Sequence, residues 1–427
     1  MSSVEFPAAS SAALPALPGA EPASGGVGGR SEGAIVLLVA AVQLVNVLEF
    51  MIVMPLGPDF AQALSIPVDS IGLIGGAYTA AAALAGLVGA VFLDRFDRRK
   101  ALALVMAGLV MATAAGAMAT GLATLIAARV AAGLFGGPAT SLALSIVADA
   151  VPPARRGRAM AVVMGAFSIA SVLGVPAGLE LARLHGWRAP LLAVAALAAV
   201  VAASCVAALP PMIGHLVGGR AGEAGGFRRV LSRPGVALAL LATAMVMVAT
   251  FAIVPNIPAF LQFNAGFPRE RFGLLYFIGG LVSLVVMAIA GRQIDRIGTT
   301  PAVVLSALVL TVDLALTFLG EEPHLPALAF FVLFMAASSV RNVAMNALLS
   351  RVPPASERAR FQSCVSAVQH LAAAVGAFVG TRLLIELPDR RLGGLPTLGA
   401  MSVVLTLLMP GLVLLLELRV RAAERAP

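Results

Sequence analysis

The stretch Ala90-Val91-Phe92-Leu93-Asp94-Arg95-Phe96-Asp97-Arg98-Arg99-Lys100 places six charges in the seven residues from Asp94 to Lys100, between two long apolar runs. A shorter version returns as Gly291-Arg292-Gln293-Ile294-Asp295-Arg296-Ile297-Gly298, its Asp-Arg pair 201 residues after the first. Charge packed this tightly between apolar runs is a short link between membrane spans. Its return at half the chain length marks a duplication.

The surrounding composition agrees. The 427 residues are 60% apolar and only 12% charged, against about 25% charged in a soluble protein. That leaves too little polar surface for a water-soluble globule, so the chain is a polytopic membrane protein. Spanning a bilayer takes about 20 apolar residues per helix. Twelve such runs are present, at 34–56, 69–92, 100–119, 122–148, 159–182, 189–209, 235–262, 270–291, 301–319, 325–349, 360–383 and 393–418. They are too long and continuous for barrel strands, which leaves an all-α membrane fold.

Arginines set the expected orientation. With the N-terminus inside, the inner segments and the helix edges beside them hold 20 basic residues and the outer loops 7, while Arg129 and Arg341 lie within spans. Both termini are therefore expected in the cytoplasm. The net charge of +8 reads as this topology signal and not as a nucleic-acid surface, since aromatics are few. Cys205 and Cys364 both sit in apolar runs and suggest neither a disulfide framework nor a metal site.

Three further anchors repeat at nearly the same offset. Pro55-x-x-Pro58 matches Pro255-x-x-Pro258 at 200, while Ile71-Gly72-Leu73 matches Phe272-Gly273-Leu274 and Val151-Pro152-Pro153-Ala154 matches Val352-Pro353-Pro354-Ala355, both at 201. Two six-helix bundles related as a parallel repeat follow. The expected organisation is a disordered cytoplasmic tail over 1–33, bundles over 34–209 and 235–418, a central cytoplasmic loop over 210–234 and a short tail over 419–427.

Ionisable residues inside spans are costly and mark function by default. Glu49 in the first span and Arg129 in the fourth each lie about seven residues, hence roughly 10 Å, from the outer end. An acid and a base at one depth can form a proton-dependent ion pair, or a static pair locking the two helices. Glu49, when charged, pairs with Arg129 or attracts a cationic compound. Asn46 lies one turn from Glu49. In the second half Asp313, Arg341 and His370 fall near mid-membrane, with Asn342 and Asn346 following Arg341. Arg341 and His370 are expected to face a central cavity or to belong to a buried polar cluster, and Asp313 is a candidate partner of Arg341.

These motifs resemble the major facilitator superfamily, and within it the twelve-helix drug/proton antiporter branch that includes bacterial drug and sugar efflux permeases. The family's loop signature is Gly-x-x-x-Asp-Arg-x-Gly-Arg-Arg. Gly291, Asp295, Arg296 and Gly298 match its first part, while Asp94, Arg95, Arg98 and Arg99 match in the first copy, where Ala90 and Asp97 replace glycines. The resemblance implies that Asp94 meets the start of the eleventh helix in one state, with Arg155 or Arg156 alongside, and releases it in the other. Arg129-x-x-x-Gly133 looks like the family's fourth-helix motif, which implies proton coupling by Arg129. Gly174, Pro176 and Gly178 partly match the fifth-helix antiporter motif. Small residues there permit close packing and proline permits bending, which suits gating. Glu180 reads as a solvated interfacial acid.

No phosphate-cradling Gly-Lys-Ser/Thr motif, zinc-type His pair or nucleophile elbow is present. The expectation is a secondary transporter and not an enzyme, without cofactor, exporting a drug or metabolite by proton antiport and alternating access. The alternative is a sugar or amino-acid carrier of the same fold. Expected partners are a small-molecule substrate, protons and the lipid bilayer, with no nucleic acid. The expected state is a monomer in a bacterial cytoplasmic membrane.

Overall fold

The structure is a computed structural model that describes residues 32–92, 96–212, 230–233, 235–320, 324–353 and 357–425. Twelve of its helices are long and apolar enough to cross a membrane. They are α1 (Glu32–Val53), α2 (Ile71–Phe92), α3 (Arg98–Ala117), α4 (Leu122–Ala150), α5 (Pro153–Ile169 and Val175–His185, joined by a π-turn over Ala170–Gly174), α6 (Arg188–Ala208), α7 (Val236–Ile253), α8 (Phe272–Ile297), α9 (Thr299–Phe318), α10 (Ala327–Leu349), α11 (Arg358–Leu383) and α12 (Leu395–Arg425). Beyond Ile253 the α7 path continues through 3-10, α and π turns to Asn264.

The apolar runs locate every span but not every end. α5 begins at Pro153 and not 159, α8 continues to Ile297 and not 291, and α12 runs to Arg425 and not 418. Most of the expected tail 419–427 is therefore helix. Helical hydrogen bonding does not stop where hydrophobicity stops, and Arg and Glu are good helix formers. An ion pair of Arg351 with Glu424 at 2.8 Å ties the extended end of α12 to the end of α10. A short helix, Gly57–Ala63, and a two-residue hairpin pairing Ile385–Glu386 with Leu392–Gly393 were not foreseen.

Within the first half α1 packs on α4, α5 and α6, α2 on α4, and α3 on α4 and α6. Within the second, α7 packs on α11 and α12, α8 on α10, and α9 on α10 and α12. The 201-residue repeat survives in detail. One-turn 3-10 segments, Val68–Ser70 and Arg269–Arg271, lead into α2 and α8 at that offset. At the face where α1 begins and α12 ends, the terminal face, Arg155 pairs with Glu32 at 2.8 Å. Arg233 pairs with Glu357 there, one contact being 2.9 Å. Arg233 follows Glu32 by 201 residues and Glu357 follows Arg155 by 202, so each half places an ion pair at a closely corresponding point with the charges exchanged.

The halves meet mainly near the opposite face. A Cβ on Gly72 or Gly76 of α2 would press on Thr381 and Ala377 of α11. Gly280 of α8 lies against Ser171 and Val172, in the π-turn of α5. Small residues make these crossings close. Toward the terminal face α2 diverges, and Gly86 faces open space.

Candidate functional site

Three residues expected at the site converge. Arg129 of α4 forms a two-point ion pair with Glu49 of α1, Nη1 to Oε1 and, at 3.3 Å, Nη2 to Oε2. Glu49 is fully buried and Arg129 is 3% exposed. Asn46, one turn before Glu49, donates to the carbonyl of Gly136 at 3.0 Å and to Thr140 Oγ1 at 2.7 Å. These bonds fasten α1 to α4, so the equal depth read from residue counts is real contact.

Tyr78 of α2, which carries no charge to advertise it, completes the cluster. Its hydroxyl donates to Asn46 Oδ1 at 3.3 Å. Its ring lies 4.8 Å from the Arg129 guanidinium, within cation–π range. Glycines let it enter. A Cβ on Gly133 would sit 2.3 Å from the Tyr78 carbonyl oxygen, and one on Gly136 would sit 2.3 Å from the Tyr78 hydroxyl. The Arg129-x-x-x-Gly133 spacing thus supplies the cation and, one turn later, the gap for the helix that supports it. Phe50 stacks on Tyr78 at 5.1 Å and reaches Phe251 of α7 at 6.2 Å, an aromatic bridge between the halves.

The second half is arranged differently from expectation. Arg341 is 4% exposed and donates from Nη2 to Thr250 Oγ1 at 2.7 Å, while its Nε has no hydrogen-bond partner among the described residues. His370 does not join it, because its Nδ1 is bonded 2.8 Å from the Ser366 carbonyl of its own helix. Asp313 is no partner of Arg341 either; it is 1% exposed, and neither carboxylate oxygen makes a hydrogen bond among the described residues. Asn342 and Asn346 lie exposed on one stripe of α10 with Ser350. A polar stripe on a membrane helix faces a water-filled cleft in preference to lipid.

The sequence pattern of the Major Facilitator Superfamily matches residues 39–377 and 239–425. The chain belongs to that superfamily. It is a multi-pass membrane transporter and not an enzyme. It is 29% identical over 294 residues to a chloramphenicol resistance protein of Streptomyces lividans, spanning 67% of this chain and 73% of that one. The fold is similar to that of the human organic anion transporter MFSD10, with TM-score 0.65, 21% identity and coverage of 90% and 100% of the two chains. A D-xylose–proton symporter gives TM-score 0.71 at 17% identity, covering 88% of this chain and 97% of that chain.

The superfamily's loop signature divides on inspection. Asp94 and Arg95 lie outside the described residues. Asp97, in a glycine position of the signature, caps α3 by accepting from Arg99 N at 3.0 Å and also holds Met212 N at 3.0 Å. Arg98 is buried and pairs with Asp149 at 2.6 Å, and Arg99 donates to the Val206 carbonyl. This copy thus staples α3 to the ends of α4 and α6. Arg155 and Arg156 are engaged by Glu32 and the Val151 carbonyl, and Glu357 at the start of α11 holds Arg233.

In the second copy Gly298 has φ +91° and ends α8, a backbone that favours glycine. Gly291, by contrast, has no neighbour within 4 Å of an added Cβ among the described residues. Asp295 and Arg296 are exposed. Asp295 lines a cavity of about 390 Å³ with Thr299, Arg351, Glu417 and Arg421. The acid that meets a helix start is Glu417, which accepts from Thr299 Oγ1 at 2.8 Å and Thr300 N at 3.1 Å.

The fifth-helix residues sit at and just beyond a π-turn. The π-turn Ala170–Gly174 ends two residues before Pro176, and π-turns and prolines are where helices can bend. A Cβ on Gly174 would press on Leu48, and one on Gly178 on Ile52, so both glycines seat α5 on α1. Glu180 is exposed and bonded to Arg183 at 2.9 Å, as an interfacial acid.

Two further contacts join the halves at the opposite face. Arg269 Nε lies 3.0 Å from both oxygens of Asp59, and its Nη2 lies 2.8 Å from Oδ2. Glu386 Oε2 accepts from Val68 N at 2.7 Å. Positions 68 and 269 are repeat equivalents, each beginning a 3-10 lead-in and each held by an acid from the other half.

Proposed function

We propose that this transporter exports a small organic compound in exchange for protons, with both termini in the cytoplasm of a bacterial inner membrane. The observation that carries this reading is the fully buried Glu49–Arg129 pair joining α1 to α4. A carboxylate in a membrane interior is held charged by its partner; protonation removes the charge and releases the helices. Glu49 takes up a proton when the site opens outward and gives it up when it opens inward. The arginine bias makes the opposite face the outer one. Packing concentrated there corresponds to an inward-opening arrangement with Glu49 charged and paired. The π-turn of α5, next to α8 and α1, provides the bend for rocking.

The Streptomyces lividans relative supplies the first compound to test, chloramphenicol. Purified protein in liposomes with a trapped pH dye is compared with Glu49→Gln. Chloramphenicol-evoked proton movement in the wild type, lost in the variant with insertion unchanged, is the expected result. Full activity in Glu49→Gln removes Glu49 from the proton path.

A second reading, a sugar or amino-acid carrier, draws on the exposed carboxamides of Asn342 and Asn346. Proton movement evoked by sugars or amino acids alone would favour it.

A further inference from the structure

The two halves treat one buried position unequally. Glu49 and Thr250 are repeat equivalents, separated by 201 residues, and each bonds a buried arginine on the fourth helix of its half. In the first half that arginine is Arg129, and the carboxylate of Glu49 balances it. In the second it is Arg341, and a threonine hydroxyl stands where the acid would be. Thr250 in turn donates to the Val246 carbonyl at 2.7 Å, so it offers Arg341 a neutral dipole and no charge. Among the described residues no carboxylate forms an ion pair with Arg341, and Asp313 is bonded to nothing.

An unbalanced guanidinium at this depth is expensive. Arg341 lies fourteen residues from one end of α10 and eight from the other, or roughly 21 Å and 12 Å at 1.5 Å per residue. A lipid headgroup at the membrane surface does not reach it. Buried cations in membranes are paired or stand on a substrate path. Glu49 is already taken: it is fully buried under Arg129, so it presents no carboxylate to an incoming cation. Exposed Asn342 follows Arg341 directly in the chain.

We propose that the transported compound supplies the missing acceptor: Arg341 anchors a two-oxygen group, an anionic carboxylate or sulfonate most tightly and a neutral nitro group such as that of chloramphenicol less so, and the site discriminates against organic cations. This deepens the export reading and rests on the site described for it. A planar guanidinium with an unpartnered Nε suits a two-oxygen acceptor. The aromatic bridge of Phe50 and Phe251 beside Thr250 suits an apolar or aromatic body on the same compound.

The test uses the full purified chain in detergent and three probes of one shape: naphthalene-1-sulfonate, naphthalene-1-sulfonamide and 1-naphthylmethyl-trimethylammonium. Binding is read as the rise in thermal unfolding temperature with probe concentration. The sulfonate is expected to bind best, the sulfonamide less well and the ammonium least. Arg341→Gln is expected to weaken sulfonate binding by about tenfold or more while the weaker sulfonamide binding persists. Arg341→Lys keeps the charge without the fork, so it weakens the sulfonate but preserves its advantage over the ammonium; it carries the test if Arg341→Gln does not fold.

Equal or better binding of the ammonium to the wild type overturns the proposal. So does equal weakening of all three probes in Arg341→Gln, which a merely structural role would produce, and so does failure of all three to bind at millimolar concentration. The assay contains no proton gradient. A failure of antiport therefore leaves the probe order intact, and a reversed probe order leaves antiport standing.

Discussion

Asp59→Asn is expected to loosen the opposite face. Arg269 meets Asp59 through three contacts of 2.8 to 3.0 Å, with side chains 16% and 22% exposed. Fully buried charge-assisted bonds are worth about 1.5–3 kcal/mol and exposed pairs about 0.2–1 kcal/mol. This two-pronged, partly exposed pair falls between, at about 1–2 kcal/mol, which shifts an opening equilibrium roughly 5- to 30-fold. The Glu386–Val68 contact remains, so the face loosens without opening fully. Ile257 is 3% exposed in the turn that packs against Gly57–Ala63. An Ile257→Cys reporter is labelled by a membrane-impermeant maleimide, with the background from Cys205 and Cys364 measured on the chain without it. Labelling accelerates by the same factor when Asp59→Asn is added. An unchanged or slower rate refutes the latch, since it means the ion pair contributes nothing to closure.

Other outcomes follow from the site's packing. Gly133→Ala places a methyl 2.3 Å from the Tyr78 carbonyl oxygen, so α2 and α4 must spread; thermal unfolding in detergent should show a loss of about 1–3 kcal/mol. Tyr78→Phe removes the bond to Asn46 but keeps the ring under Arg129, costing about 0.5–1.5 kcal/mol, and Tyr78→Leu costs more because the cation–π contact goes too. At the terminal face Arg351 holds the Glu424 carboxyl below its ordinary 4.5. That contribution is complete above the ordinary value and is lost as pH falls through the lowered one, so Glu424→Gln removes a small acid-sensitive part of the unfolding profile.

Residue counting along a helix measures depth well and direction poorly. Depth placed Glu49 and Arg129 together, and the contact exists because α1 and α4 are neighbours that turn those faces toward each other. The same arithmetic placed Arg341, His370 and Asp313 at mid-membrane, yet Arg341 bonds Thr250, His370 bonds its own helix, and Asp313 bonds neither of them. Tyr78 escaped notice because a tyrosine in an apolar run looks like packing; only the gap at Gly133 and Gly136 reveals its role. The repeat was legible because identical motifs at one offset need no knowledge of packing. The latch at Asp59 and Glu386 was not, since its partners lie 210 and 318 residues away.

The exchanged charges at the terminal face bear on how the molecule is assembled. Two bundles descended from one ancestor present similar apolar surfaces, and each leading helix meets two lookalike docking sites during biogenesis. Docking α1 beside α11 would set Glu32 against Glu357, and docking the start of α7 beside α5 would set Arg233 against Arg155. Both mismatches oppose like charges, whereas each correct match joins opposite ones. Glu32–Arg155 and Arg233–Glu357 thus label the two bundles with opposite charge order, so that each leading helix is matched to its own half and mismatched to the other.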